Sequence, residues 1–237
     1  PWANAWGIDL ADPLAVVPLL EVVNSQGDIQ HRAAPMVGGE LISGLGQLQY
    51  SPARNAKAVG EVVVSSGDAI ERALTAAAQA QPAWDRAGAD HRAACLARVA
   101  DLMEAHCHSL IGLIVAEAGR TIDDALSEVR EAVDFCRYYA QQARAHFTAP
   151  QLLPGPTGEV NELSLHGRGV FLCISPWNFP LAIFVGQVSA ALAAGNSVIA
   201  KPAEQTPLIA SRAVALMHEA GIPGDVVSLL PGDGANV

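Results

Sequence analysis

The alternation of two hydrophobic periods between residues 170 and 230 constrains this chain more than any other feature. Residues 170–174 form a short apolar run (VFLCI), 180–194 a longer one closed by Gly195, and 197–200 another short run (SVIA). Residues 206–220 then follow a helical pattern, with Thr206 placed as N-cap, Pro207 at the first helical position and Gly221 just past the end. Residues 226–230 (VVSLL) close the series. Strand, helix, strand, helix and strand at this spacing predict a parallel sheet with helical crossovers. Ligands of such a sheet bind outside the carboxyl ends of its strands. The segments there are Ser175-Pro176-Trp177-Asn178-Phe179-Pro180, Lys201-Pro202-Ala203-Glu204 and Pro231-Gly232-Asp233-Gly234.

Upstream the pattern is helical. Residues 1–66 are mixed and hold many turn formers, with 59–64 reading as a strand. A helix is expected from Gly67, with Asp68 capping its first turn and Pro82 as its end; a second opens at Asp90. Gly112 interrupts the apolar run at 110–115, and Gly119 reads as a stop. Thr121 with Asp124 three residues on forms a capping-box-like start for a helix to about residue 146. Its apolar stripe is Ile122, Leu126, Val129, Val133, Cys136 and Ala140; Glu128, Arg130, Glu131, Asp134 and Arg137 fall on the opposite, solvent-facing side. Residues 150–158 are a turn-rich connection, and 162–166 and 170–174 read as strands around Gly167-Arg168-Gly169. The expected organisation is a mixed N-terminal segment (1–66), a helical part (67–150), strands outside the main sheet (151–168) and the start of a Rossmann-like sheet (169–237).

Composition narrows the function. With 51% hydrophobic and 16% charged residues, the chain is not disordered. Fourteen basic against twenty-four acidic residues give a net charge of −10, which argues against a nucleic-acid partner. The run at 180–195 is broken by Gln187 and Ser189 and falls short of the ~20 residues that span a bilayer, so no membrane insertion is expected. Cys95, Cys107, Cys136 and Cys173 lack C-x-x-C spacing, which points to reduced thiols in a cytoplasmic protein. No metal is expected: His106, Cys107 and His108 on a helix would point about 100° apart. The N-terminal residues show no signal-peptide pattern, and a chain that starts without Met and ends on PGDGANV reads as a piece of a longer one.

The three loops carry complementary groups. Asn178 offers a neutral amide suited to a developing oxyanion; its other reading is a cap for the helix near Pro180. Lys201 offers a cation, and Glu204 an acceptor for a diol such as a ribose; the other reading is an exposed ion pair. Gly232 and Gly234 allow close backbone approach, or form an ordinary turn.

The run SPWNFPLAIFVGQVSAALAAGNSVIAKPAEQTP (175–207) resembles the coenzyme-binding segment of the aldehyde dehydrogenase superfamily, and EAGIPGDVVSLLPGDG (219–234) continues the match. With EVREAVDFCRYYA (128–140), it looks like the dehydrogenase module of the bifunctional proline utilization A enzymes. The resemblance implies a truncated aldehyde dehydrogenase fold of class α/β. It implies NAD-dependent oxidation of L-glutamate γ-semialdehyde to glutamate in proline catabolism. Asn178 would be the oxyanion donor, and Ser175, Pro176 and Trp177 would line the coenzyme. Lys201 and Glu204 would hold the adenosine ribose, with the carboxylate disfavouring a 2′-phosphate. Gly232 and Gly234 would lie by the adenine, Phe179 would wall the aldehyde tunnel, and 151–168 would form an oligomerisation flap of a homo-oligomer. The family's nucleophilic cysteine and general-base glutamate match nothing here, so the isolated chain is expected to be inactive. Arg120 stands where relatives often have Lys. The alternatives are a non-catalytic folding or assembly fragment, and an NADPH-dependent acyl-phosphate reductase relative. A parallel sheet cut after its third strand is also expected to leave an open edge and a chain prone to self-association.

Overall fold

The computed structural model describes residues 3–26 and 30–235, apart from the side chains at 55 and 56. Pro1, Trp2, Asn236 and Val237, which belong to the readings of the two chain ends, lie outside the described residues.

An opening helix, α1 (Pro13–Ser25), starts at Asp12, whose side chain accepts from the Leu14 N–H at 2.9 Å. The mixed pattern of residues 1–66 hides it, because Pro18 lies inside. Next come β1 (His31–Ala33), β2 (Met36–Val37), β3 (Glu40–Leu41), β4 (Gly46–Ser51) and β5 (Arg54–Val63). Strand β5 sits between parallel β1 and antiparallel β4 in one small sheet.

Four helices form the helical layer: α2 (Gly67–Arg86), α3 (Ala89–Ala105), α4 (Cys107–Ala118) and α5 (Ile122–Phe147). Ser66 caps α2, in place of the expected Asp68, which lies inside the helix, and Thr121 caps α5; each side-chain oxygen accepts a backbone N–H three residues on. Gly119 ends α4 with a φ of 67°, a left-handed conformation that favours glycine. Helix α2 does not end at Pro82 as expected but runs to Arg86. Proline removes one helical hydrogen bond, and tertiary contacts hold the final turn in place. Trp84 is buried with its indole N–H on Leu192 O at 3.0 Å, and Arg92 reaches Asp85 O at 2.7 Å. Gly112 is likewise no break. It lies inside α4 facing Gln26, where an added Cβ would come within 2.6 Å of the Gln26 Cγ.

Residues 150–158 are not all turn. Strand β6 (Gln151–Leu153) pairs antiparallel with β7 (Asn161–Leu163), so β7 joins β6 and not the strand after residue 169. The main sheet then forms from β8 (Val170–Ile174), β9 (Ser197–Lys201) and β10 (Val227–Leu229), connected through α6 (Ala182–Ala193) and α7 (Pro207–Glu219). These three strands are parallel, with Val170 opposite Ser197, and Val198 opposite Val227. The β2–β3 hairpin extends the sheet antiparallel beyond β10, giving the order β3-β2-β10-β9-β8.

The period-2 alternation of strands sorts side chains onto two faces. Val170, Ile199 and Leu230 meet Ile70, Ala73 and Ala77 of α2, while Cys173, Val198, Ala200 and Leu229 join the larger core under α6 and α7. Strand β9 is buried at all five positions, with Val198, Ile199 and Ala200 as its apolar centre. The outer edge of β8 has no partner strand among the described residues, and Phe171, Leu172 and Ile174 are exposed along it. Among the described residues, no single helix is long and apolar enough to cross a membrane.

Charged side chains from the helical layer close the ends of α6. Arg92 of α3, 2% exposed, donates from Nε to Ala193 O at 3.0 Å at the C-terminal end. Glu128 of α5 accepts at the N-terminal end. Both signs match the helix macrodipole.

Candidate active site

The three loops expected to carry the chemistry follow β8, β9 and β10 at one end of the sheet. The Ser175 N–H donates to Lys201 O at 3.2 Å, and the Leu230 N–H to Ala200 O at 2.9 Å, so the ladder runs to the loop starts. Lys201 then joins two of the loops through its side chain. Its Nζ is buried and donates to Gly232 O at 2.9 Å and to Pro202 O at 3.4 Å. It forms no ion pair with Glu204, whose exposed carboxylate instead accepts from Gln205 Nε2 at 3.2 Å.

Glu204, Pro231, Gly232 and Asp233 line a cavity of about 490 Å³ whose other wall is Gln47, Leu48 and Gln49 of β4. The Gln49 amide donates to Gln205 O at 2.6 Å and holds the Glu204 loop against that wall. Sequence reasoning missed β4, because its side chains show only an ordinary alternating strand. Gly234, in the exposed turn beyond, is not among the lining residues.

The loop after β8 opens separately. Ser175 is buried, Pro176 is half-buried, and Trp177 is 55% exposed. Asn178 is exposed, lies outside the lining of the Glu204 cavity, and makes no hydrogen bond with the described residues. It is not the cap of α6: the Leu181 and Ala182 N–H groups donate to Glu128 Oε2 at 3.1 and 3.4 Å. Phe179 is half-buried with the Arg120 guanidinium 4.8 Å from its ring centroid. The structure therefore places Ser175 next to Lys201, and Lys201 next to Gly232, along one rim. Glu204 lines the cavity beside Gly232, whereas Asn178 lies on the loop after β8, outside that cavity.

Glu117 of α4 does for α7 what Glu128 does for α6. Its two oxygens accept from the Leu208 and Ile209 N–H groups at 2.7 and 2.9 Å. Thr206 occupies the N-cap position as expected, but its hydroxyl makes no capping bond. Burial pushes the Glu117 carboxyl up to about 8 against the pull of those two N–H groups. Burial also raises Glu128, opposed by the Leu181 and Ala182 N–H groups and by Arg120. The expectation that Glu128 faces solvent is corrected: it is 1% exposed because α6 packs over that side of α5. Glu117 does carry a sequence signal, since it stands alone in the apolar stretch 110–118, where a carboxylate needs a partner.

The four cysteines are free, and their surroundings favour the thiol over the nucleophilic thiolate. Burial pushes Cys173 and Cys107 up to about 11 and Cys136 up to about 12, and raises Cys95.

Comparison with known proteins supplies the wider context. Residues 47–237 match the aldehyde dehydrogenase family. The chain is 44% identical over 235 residues to the bifunctional protein PutA of Klebsiella aerogenes, covering 99% of this chain but 17% of that protein. It is 35% identical over 191 residues to the 1-pyrroline-5-carboxylate dehydrogenase of Bacillus subtilis, covering 80% of this chain and 37% of the relative. Among solved structures, proline utilization A from Bdellovibrio bacteriovorus superposes with a TM-score of 0.95 at 32% identity, over 100% of this chain and 25% of that one. The 1-pyrroline-5-carboxylate dehydrogenase from Thermus with bound NAD superposes with a TM-score of 0.93 at 32% identity, over 100% and 46%. The matched segment with its three loops, the α/β architecture built around them and these relatives agree: the chain belongs to the aldehyde dehydrogenase family.

Proposed function

We propose that this chain is the coenzyme-side portion of an NAD-dependent L-glutamate γ-semialdehyde (1-pyrroline-5-carboxylate) dehydrogenase, acting in the cytoplasm in proline catabolism. The observation that carries this reading is the rim itself. The buried Lys201 Nζ fastens the β9 loop to Gly232 O at 2.9 Å, and Glu204 and Gly232 face one cavity of about 490 Å³. The cavity would receive one end of a dinucleotide: it pairs an exposed carboxylate with a glycine backbone that lets a ligand approach closely. Glu204 would accept from the ribose hydroxyls, and Lys201 would set the loop from behind. Gly232, with Gly234 beyond it, would lie by the adenine. Ser175, Pro176 and Trp177 would line the other half, and the unpaired amide of Asn178 would meet the aldehyde oxygen beside Phe179. The nicotinamide, when bound, supplies the hydride acceptor. The exposed β6–β7 hairpin, with Leu152, Val160 and Leu163 on its surface, would serve as the flap of a homo-oligomer.

The four cysteines, each with its thiol raised by burial, favour a second statement about the chain as it stands: it binds on the coenzyme side and does no chemistry alone. Titration of the 237-residue chain with NADH and NADPH tests the first reading. NADH is expected to bind more tightly, and Glu204→Gln to remove most of the preference. Equal binding, or tighter NADPH binding, would favour the reductase alternative. The same preparation is expected to form no NADH from L-glutamate γ-semialdehyde; thiol-dependent formation would overturn the second statement.

A further inference from the structure

Phe179 is held by a cation that the proposed chemistry does not use. The Arg120 guanidinium stands over the ring at 4.8 Å, and its Nε lies 3.5 Å from Glu128 Oε1. The other oxygen of that carboxylate, Oε2, accepts from the Leu181 and Ala182 N–H groups at the start of α6. Arg120 Nε and Glu128 Oε1 are both buried and have no hydrogen-bond partner among the described residues, so each depends on the ion pair for compensation. Nη2 also lies 3.7 Å from Asp124, which is half exposed, so that contact is screened by water. One planar cation thus bridges the wall residue Phe179 and the carboxylate that fixes the helix two residues further along the chain.

We propose that Arg120 is a positioning residue of the aldehyde site: its guanidinium sets the Phe179 ring against the start of α6 before any ligand arrives. The inference rests on the reading of Phe179 as a wall of that site. The geometry needs arginine. A guanidinium stacks by its face while its edge meets a carboxylate, whereas an ammonium is a point charge that cannot do both at once.

The test is ¹⁹F NMR of the full 237-residue chain labelled with 4-fluorophenylalanine. The Phe179 line is identified by its loss in Phe179→Leu, leaving Phe135, Phe147, Phe171 and Phe184 as internal reporters of folding. Arg120→Gln, Arg120→Lys and Glu128→Gln are each expected to displace the Phe179 line and leave the other four in place. A Phe179 line unmoved in both Arg120 variants, or displaced only together with the other four, overturns the proposal. A line displaced by Gln but not by Lys overturns the requirement for a planar cation. L-glutamate, the product of the proposed reaction, separates this inference from the reading beneath it. It is expected to displace the wild-type Phe179 line, with several-fold more needed in Arg120→Lys. No displacement in the wild type retires Phe179 as a substrate wall and takes the proposed site role with it, while the variant spectra still decide whether Arg120 holds the ring.

Discussion

Replacing Arg92 by alanine is expected to destabilise the chain by about 3–5 kcal/mol, the usual cost of removing one partner from a buried charged network. Arg92 Nε donates to Ala193 O at 3.0 Å, and Nη1 donates to Asp85 O at 2.7 Å and Trp84 O at 3.5 Å. These carbonyls belong to the last turns of α6 and α2, where intrahelical donors run out; Asp85 O also accepts from the Gly88 N–H at 3.3 Å. Alanine would leave all of them buried without the cation that opposes the negative ends of both helix dipoles. Since a domain's whole stability is about 5–15 kcal/mol, such a loss brings the chain close to unfolding. Urea denaturation followed by circular dichroism measures it, and a change below about 1 kcal/mol would contradict the capping role.

The second large effect is a pH dependence centred on Glu117. Its carboxyl is raised to about 8 in the folded state from an ordinary 4.5. Between those values the folded chain holds a proton that the unfolded chain has released, so stability falls as pH rises. The contribution is complete below about pH 4.5 and lost as pH passes about 8. Glu128, also raised by burial, adds in the same direction. His31 and His218, lowered by burial, act oppositely, losing stability as pH falls through their ordinary value of 6.5. The difference between wild type and Glu117→Gln isolates the carboxyl. The variant should cost about 1–3 kcal/mol at mildly acidic pH, because its amide NH₂ faces a backbone donor. It should also lose the Glu117 part of the decline toward pH 8. Urea midpoints across that range check this, and parallel curves for the two proteins would show that Glu117 does not titrate there.

These capping residues also mark the limit of what the sequence discloses. The β-α-β series, the Thr121 cap and the Gly119 stop are local signals, written within a few neighbouring residues, and the structure contains each of them. The caps of α6 and α7 come from side chains 53 and 91 residues away in the chain. No local pattern distinguishes Glu128 from the exposed Glu131 one turn later, and only the packing of α6 does. Pro82 and Gly112 show the same limit: Arg92 holds the turn beyond Pro82, and Gly112 leaves the room that Gln26, far away in sequence, fills against α4. The candidate site was legible through its three loops, because strand ends and turn residues locate them. Its β4 wall was not, because Gln47 and Gln49 meet the Glu204 loop only after β4 pairs with β5.

The account stands on the three loops acting as one coenzyme rim, and amide hydrogen exchange with and without saturating NAD measures that most directly. The account predicts joint slowing of exchange across residues 175–179, 201–206 and 232–234, with the exposed β6–β7 hairpin unchanged. Slowing confined to a single loop, or found only away from all three, would contradict it.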